Sequence, residues 1–268
     1  MQVSRPRIMG VVNVTPDSFS DGGRYLDHDA AIAHAHRVVA EGADWVDVGG
    51  ESTRPRAEPV PVDEELRRVL PVVRALAADG VPVSIDTRKA EVARAAVEAG
   101  ARLVNDVSAS LAEVAAEGGV GFVAMHMMGD PRTMQDDPRY DDVVVEVRDF
   151  LVARAEAARA AGVREVWIDP GIGFGKTVEH NLDLLANLDV LVATGFPVLV
   201  GTSRKATLGA LAARVDPGGR TPPPTDRLEG SVATALWSVR CGAAMVRVHD
   251  VAATVRALEA LELAAPVA

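Results

Sequence analysis

The sequence predicts a (β/α)₈ barrel, formed as one domain over residues 1–268. Three observations predict it. A short β-branched run, led by a glycine and closed by a polar residue, recurs along the chain. Segments of helical spacing separate these runs, and the runs number eight. Strict alternation of strand and helix implies a parallel sheet with right-handed crossovers. A doubly wound open sheet is the competing architecture. The count of eight, with no Gly-x-Gly-x-x-Gly after the first run, favours the barrel.

Arg7 to Val14 is the first strand, and Ala30, Ile32 and Ala33 mark the helix after it. Glu41 to Gly49 carries the second run. In the next helix Leu66, Val69, Leu70, Val73 and Leu76 fall at i, i+3, i+4, i+7 and i+10. Asp63 is placed to cap that helix, Glu64 and Glu65 fill its first turn, and Pro71 either kinks it or marks its start. Asp79–Asp86 and Ala99–Asp106 are the third and fourth runs, separated by a helix with Ala93, Ala96 and Val97 inward. Gly118–His126, Gly162–Asp169, Gly195–Gly201 and Gly242–His249 complete the set. Each leading glycine suits the left-handed position just past a helix. Pro222-Pro223-Pro224 reads as a loop within the domain, after strand seven.

Composition excludes several classes. An apolar fraction of 48% with 25% charged residues is that of a globular chain, not a disordered or fibrous one. Charges sum to 28 − 38 = −10 with no like-charged block, which argues against bulk binding of nucleic acid or anionic lipid. Cys241 is the only cysteine, so an intrachain disulfide is impossible and a reducing, cytoplasmic setting is expected. No apolar run approaches the ~18 residues of a membrane span, and no export signal is read.

Ligands of parallel α/β folds bind beyond the carboxyl ends of the strands. The residues there are Asn13, Gly49-Gly50-Glu51, Asp86, Asn105, Met125-His126, Asp169, Ser203 to Lys205, and Arg247 with His249. Unpaired buried polar groups cost ~1–3 kcal/mol each, so such a rim implies a ligand. Asp86, Asn105 and Asp169 suit a row of N–H donors beside a carbonyl, as on a guanidine-like heterocycle edge. The alternative is that Asp86 and Asp169 cap the helices that follow, as Asp106 is expected to do. Arg247 and His249, two apart, point together into the mouth. Ser203-Arg204-Lys205 opens the helix after strand seven, where an anion is favoured. Negative and amide tips are therefore expected on one side of the rim and positive ones opposite, gripping two halves of one molecule. Asn13, a neutral oxygen ligand, suits Mg²⁺ shared with phosphate oxygens and water, and no zinc-like spacing is present. The polar loops Val14 to Gly23 and Gly50 to Pro59 have the composition of lids.

The strings Asn13-Val14-Thr15-Pro16-Asp17-Ser18-Phe19-Ser20-Asp21-Gly22-Gly23 and Gly49-Gly50-Glu51-Ser52-Thr53-Arg54-Pro55 resemble the signature pair of the dihydropteroate synthase family. So do Ser84-Ile85-Asp86-Thr87, Asn105-Asp106-Val107-Ser108, Met125-His126-Met127, Asp169 to Lys176, Gly201 to Lys205 and Arg247-Val248-His249-Asp250, in order over nearly the whole chain. The resemblance implies a barrel that joins 6-hydroxymethyl-7,8-dihydropterin diphosphate to 4-aminobenzoate, releasing diphosphate. It assigns the pterin to Asp86, Asn105, Asp169 and Lys205, with Met125, Phe174 and Gly201. The aminobenzoate goes to Thr53, Arg54, Pro55, Phe19, Ser203, Lys205 and Asp21, where sulfonamides would compete. The diphosphate goes to Asn13, Thr53, Arg247 and His249, and Mg²⁺ to Asn13. Asp86, Lys205, Arg247 and His249 become the catalytic set, and Asp21 is expected to balance Arg54 when the loops close.

A homodimer through the last helices, with Leu258, Leu261 and Leu263 exposed, is also implied. Three positions depart from the family pattern, Arg56, Ala109 and Ser110, where it usually has glycine. Two rivals are a corrinoid-linked pterin methyltransferase domain and a non-catalytic or degenerate paralogue. The two loop motifs disfavour the first, and Lys205, Arg247 and His249 disfavour the second.

Overall fold

Runs too short and too β-branched for helices pair side by side as parallel strands. They are β1 (Arg7–Asn13), β2 (Trp45–Gly49), β3 (Val83–Asp86), β4 (Leu103–Asp106), β5 (Gly121–Met125), β6 (Val166–Asp169), β7 (Leu199–Val200) and β8 (Met245–Val248). The structure is a computed structural model that describes residues 5–15, 28–52 and 57–264. Strand order is β6-β5-β4-β3-β2-β1-β8-β7, and a parallel bridge between Ile168 and Val198 joins the two ends into a barrel. The doubly wound alternative is thereby set aside.

Ten α-helices surround it among the described residues: α1 (His28–Ala40), α2 (Val62–Ala78), α3 (Ala90–Glu98), α4 (Ala112–Gly118), α5 (Val143–Ala160), α6 (Val178–Ala186), α7 (Leu188–Val192), α8 (Ala206–Val215), α9 (Leu228–Arg240) and α10 (Val251–Ala264). Two helices follow β6 and two follow β7, so the last units are not simple strand–helix pairs. The proline loop at Pro222–Pro224 lies between α8 and α9. Gly100 sits at φ +112°, the left-handed region that favours glycine, and there an added Cβ would also stand 2.5 Å from that of Ala77.

Three local expectations need correction, and the two readings of Pro71 narrow to one. α2 begins at Val62 with Pro61 at its N-cap and no side-chain cap, so Asp63 acts with Glu64 and Glu65 on the helix dipole instead. Pro71 lies inside α2, not at its start. β8 ends at Val248, which leaves His249 one residue beyond the strand. Leu258 is buried, packed with Ile8, Val38 and Val251, because its face of α10 lies on the barrel. Leu263 lies outside the described side chains.

Asp106 does not cap α4, whose N-cap is Leu111 without a side-chain bond; it anchors the turn before that helix instead. Its carboxylate accepts from the backbone N–H groups of Ser108 (2.8 Å), Ser110 (2.6 Å) and Leu111 (2.8 Å). This wrap forces Ala109 to φ +51°. An L-residue there costs ~1–2 kcal/mol, and the larger unfolded-state entropy of glycine offsets ~0.5–1 of it. Ala109→Gly is therefore expected to stabilise the fold by roughly 0.5–1 kcal/mol, seen as a higher urea midpoint. A lowered midpoint would mean that the turn carries no strain.

Side chains alternate along each strand, so two surfaces form. The outward set, including Val46, Val48, Ile85, Val104, Phe122 and Ile168, packs under the helices as the main core. The inward set fills the barrel in layers drawn from alternate strands. Met9, Leu103, Val123, Trp167, Leu199 and Met245, with Trp45, form an apolar plug inside. Two residues further along the even-numbered strands, the same inward positions become Asp47, Asn105, Asp169 and Arg247. Apolar packing thus gives way to a polar layer at the mouth.

Candidate active site

That layer is the floor of a cavity of about 310 Å³, lined by Asp86, Asn105, Val107, Met125, Asp169, Phe174, Gly201, Lys205 and Arg247. Eight of these nine were singled out from sequence, and the barrel brings them to one end of the cylinder. Asp169 closes β6 and His249 directly follows β8, so both stand at the carboxyl ends of their strands. A second cavity of about 230 Å³ lies beside Arg5, Ile8 and Leu258, without comparable convergence of strand-end groups.

The expected separation of charge is overturned. Arg247 reaches across the barrel and donates from Nε to Asp47 Oδ2 (2.6 Å) and from a terminal nitrogen to Asp86 Oδ2 (2.7 Å). Asn105 donates its amide N–H to the same Asp47 oxygen at 3.0 Å. Opposite charges interdigitate because a barrel this narrow has no room to keep them on separate walls. Burial pushes the Asp86 carboxyl up, to about 7, against the pull of Arg247, with Asp47 adding repulsion. Arg247 is also desolvated, but Asp47 and Asp86 together hold it firmly protonated.

Lys205 ends the loop after β7 and is the N-cap of α8. Its ammonium donates to the Ile172 carbonyl at 2.5 Å and lies 4.7 Å from the centre of the Phe174 ring. Desolvation lowers its pKa to about 8, resisted by Asp169. Asp169 is itself raised by burial and accepts from the Gly171 backbone N–H at 2.7 Å. Neither Asp86 nor Asp169 caps a helix, so the capping alternative fails for both. Gly171 allows the turn after β6 to pass close to β5: at φ +64°, a Cβ would stand 1.8 Å from the His126 carbonyl oxygen.

His126 and Lys176 support that turn from outside the cavity. Lys176, 3% exposed, has its ammonium 2.9 Å from His126 Nδ1 and donates to the carbonyls of Gly171 and Phe174, both at 3.1 Å. Burial, then Lys176, drives the His126 imidazole down to about 3, and it packs edge-on against Phe150 at 5.0 Å. His126 therefore faces away from the mouth while Met125 lines it, as alternation requires.

At the β7–β8 rim the Ser203 hydroxyl oxygen accepts from the His249 backbone N–H (3.2 Å), and His249 Nδ1 lies 3.1 Å from the same oxygen. Arg204 does not join an anion patch. It is paired bidentately with Asp250 (2.5 and 3.1 Å) and held at φ +60° by Ser231 and Arg227, which bind its N–H and carbonyl.

Asn13 sits at the end of β1, in register with Gly49, itself in register with Asp86. A Cβ on Gly49 would stand 3.8 Å from Asn13 Oδ1 and 3.7 Å from Asp86 Oδ2, so glycine keeps the space between them open. Hard oxygens around an open space suit Mg²⁺ whose other ligands come from substrate and water. Among the described residues no cluster of three His, Cys, Asp or Glu would hold a metal alone.

Phe19, Asp21, Thr53, Arg54, Pro55 and Arg56 lie outside the described residues. The stem of the second loop is described. Glu51 accepts from the Val60 N–H (2.7 Å), Lys89 (2.7 Å) and Arg88 (3.0 Å), and Lys89 also pairs with buried Glu65.

Sequence reasoning missed Asp47 and the role of Lys176. A carboxylate two residues before the closing glycine of an apolar strand was a legible signal for Asp47. Lys176 gave none, since lysines are seldom fully buried.

The profile of the pterin binding enzyme family matches residues 9–249. A dihydropteroate synthase of Mycobacterium leprae is 50% identical over 268 residues, covering 97% of this chain and 93% of the relative. The Xanthomonas albilineans dihydropteroate synthase structure with 4-aminobenzoic acid superposes with a TM-score of 0.90 at 50% identity, covering 99% of this chain and 95% of that one. A structure of the X. albilineans enzyme in complex with 7,8-dihydropteroate gives 0.87 at 47% identity, covering 100% and 97%.

Proposed function

The chain belongs to the pterin-binding enzymes, as a dihydropteroate synthase, and from that premise we infer how its barrel mouth carries out the reaction. It is a transferase that joins 6-hydroxymethyl-7,8-dihydropterin diphosphate to 4-aminobenzoate, giving dihydropteroate and diphosphate. The observation that carries the residue assignment is the polar floor of Asp47, Asn105, Asp169 and Arg247 beneath Asp86 and Lys205.

Asp86, Asn105 and Asp169 offer acceptors and an amide to the N–H edge and carbonyl of the pterin. Met125, Phe174 and Gly201 supply its walls, and Lys205 donates from above. Arg247, His249 and the N-terminus of α8 face the departing diphosphate, and their positive potential makes it a better leaving group. As the C–O bond to diphosphate breaks, positive charge develops at the pterin methylene, which buried carboxylates such as Asp86 stabilise. The arylamine nitrogen forms the new C–N bond and then loses its proton. Such an amine needs no strong base, which accounts for a site without a nucleophile–base dyad. Thr53, Arg54, Pro55, Phe19, Asp21 and Ser203 are assigned to the aminobenzoate side on family grounds.

Asn13 would hold Mg²⁺ together with diphosphate oxygens; when bound, the cation supplies charge neutralisation to the leaving group. A homodimer belongs to the same reading, and Trp237 of α9, 52% exposed, is a large apolar side chain for a second copy to cover. A cytoplasmic site of action rests on the lone Cys241. No described helix is long and apolar enough to cross a membrane.

The test is to mix the protein with the pterin diphosphate, 4-aminobenzoate and Mg²⁺ and follow diphosphate release. Turnover that needs all three is expected. Pterin binding without release would leave only the non-catalytic paralogue.

A further inference from the structure

Asp47 is fully buried inside the barrel, with 0% side-chain exposure. One oxygen, Oδ2, takes both the Arg247 Nε–H and the Asn105 amide, from β8 and β4, on strands that do not adjoin β2. The other, Oδ1, has no hydrogen-bond donor among the described residues. A buried carboxylate with a spare oxygen is costly, and an apolar residue there would extend the plug formed by Trp45, Leu103 and Trp167. A charge held there at that cost points to work done on the groups it bonds.

We propose that Asp47 is a positioning residue for the reaction: it fixes the Asn105 amide and keeps Arg247 from being held by Asp86 alone. The proposal rests on reading the mouth as the pterin site. Arg247 shares its guanidinium between two carboxylates, at 2.6 and 2.7 Å. Asp86 bonds Arg247 through Oδ2, so the same carboxylate must serve both the guanidinium and the pterin edge. With Asp47 charged, Arg247 keeps a full ion pair through Nε while Asp86 turns to substrate. With Asp47 neutral, the whole attraction of Arg247 falls on Asp86, and the pterin competes with it. Asn105 loses its charged acceptor at the same time. The 4-aminobenzoate side, whose described members Ser203 and Lys205 bond to His249 and Ile172 and not to Asp47, is spared.

The experiment compares the wild-type protein with Asp47→Asn in steady-state kinetics, with a thermal melt of each. Asp47→Asn is expected to melt cooperatively, to raise KM for the pterin diphosphate about tenfold or more, and to leave KM for 4-aminobenzoate within about twofold. Asp47→Ser, smaller and uncharged, gives the same comparison if the asparagine variant does not fold. An unchanged pterin KM would overturn the proposal, as would a rise shared equally by both substrates. Wild-type protein without turnover would instead sink the functional reading on which the proposal depends.

Discussion

Arg247→Met is expected to remove nearly all turnover and to destabilise the fold by about 3–5 kcal/mol. The large effect follows from what the guanidinium leaves behind. Asp47 is wholly buried and Asp86 is 12% exposed in its side chain, and Arg247 is the cation bonded to both. Methionine fills the volume but leaves two carboxylates facing each other in a dry interior. In kcat/KM the loss is expected to be on the order of 10²–10³, the scale for removing one preorganised charge-stabilising donor.

The deficit is also expected to depend on pH. Asp86 is already raised to about 7 in the folded protein, so between its unfolded value and that pH the folded state binds more protons than the unfolded one. Stability from this group is therefore present at low pH and lost as pH rises, and removing Arg247 enlarges the effect. Urea titrations at pH 5 and pH 8 check it. A variant equally stable at both, or as stable as wild type, would contradict the pairing. Arg247→Lys restores charge but not the fork, so it should recover stability more than activity.

Lys205→Ala is expected to raise KM for both substrates, with kcat/KM falling roughly 10²-fold for loss of a buried charged donor. One ammonium is proposed to serve both subsites; it is bonded to the Ile172 carbonyl, lies over the Phe174 ring, and its charge counters the burial of Asp169. Unchanged KM for both substrates would remove its shared role. Because burial lowers the Lys205 pKa to about 8, the wild-type rate should decline as pH rises through that value. The alanine variant should lack this alkaline limb.

Much of the mouth was legible because two rules are local. A strand is recognised by its short β-branched run, and its closing residue must lie at the carboxyl end of the barrel. That placed Asn13, Asp86, Asn105, Asp169 and Arg247 correctly before any geometry was known. The same rules failed where partners matter. Arg204 reads as a free cation at a helix start, yet Asp250, 46 residues later, neutralises it. Leu258 reads as exposed, yet β1 and α1 cover it.

Short β-branched runs, their count of eight and glycine punctuation determined the barrel and the identity of most rim residues, because each depends only on neighbours along the chain. Which charge meets which was decided by closure of the cylinder. Asp47 and Arg247 are 200 residues apart and Asp86 and Arg247 are 161 apart. Their pairing is a property of strand register across the axis, where exclusion of water makes each attraction strong, and no local pattern encodes it.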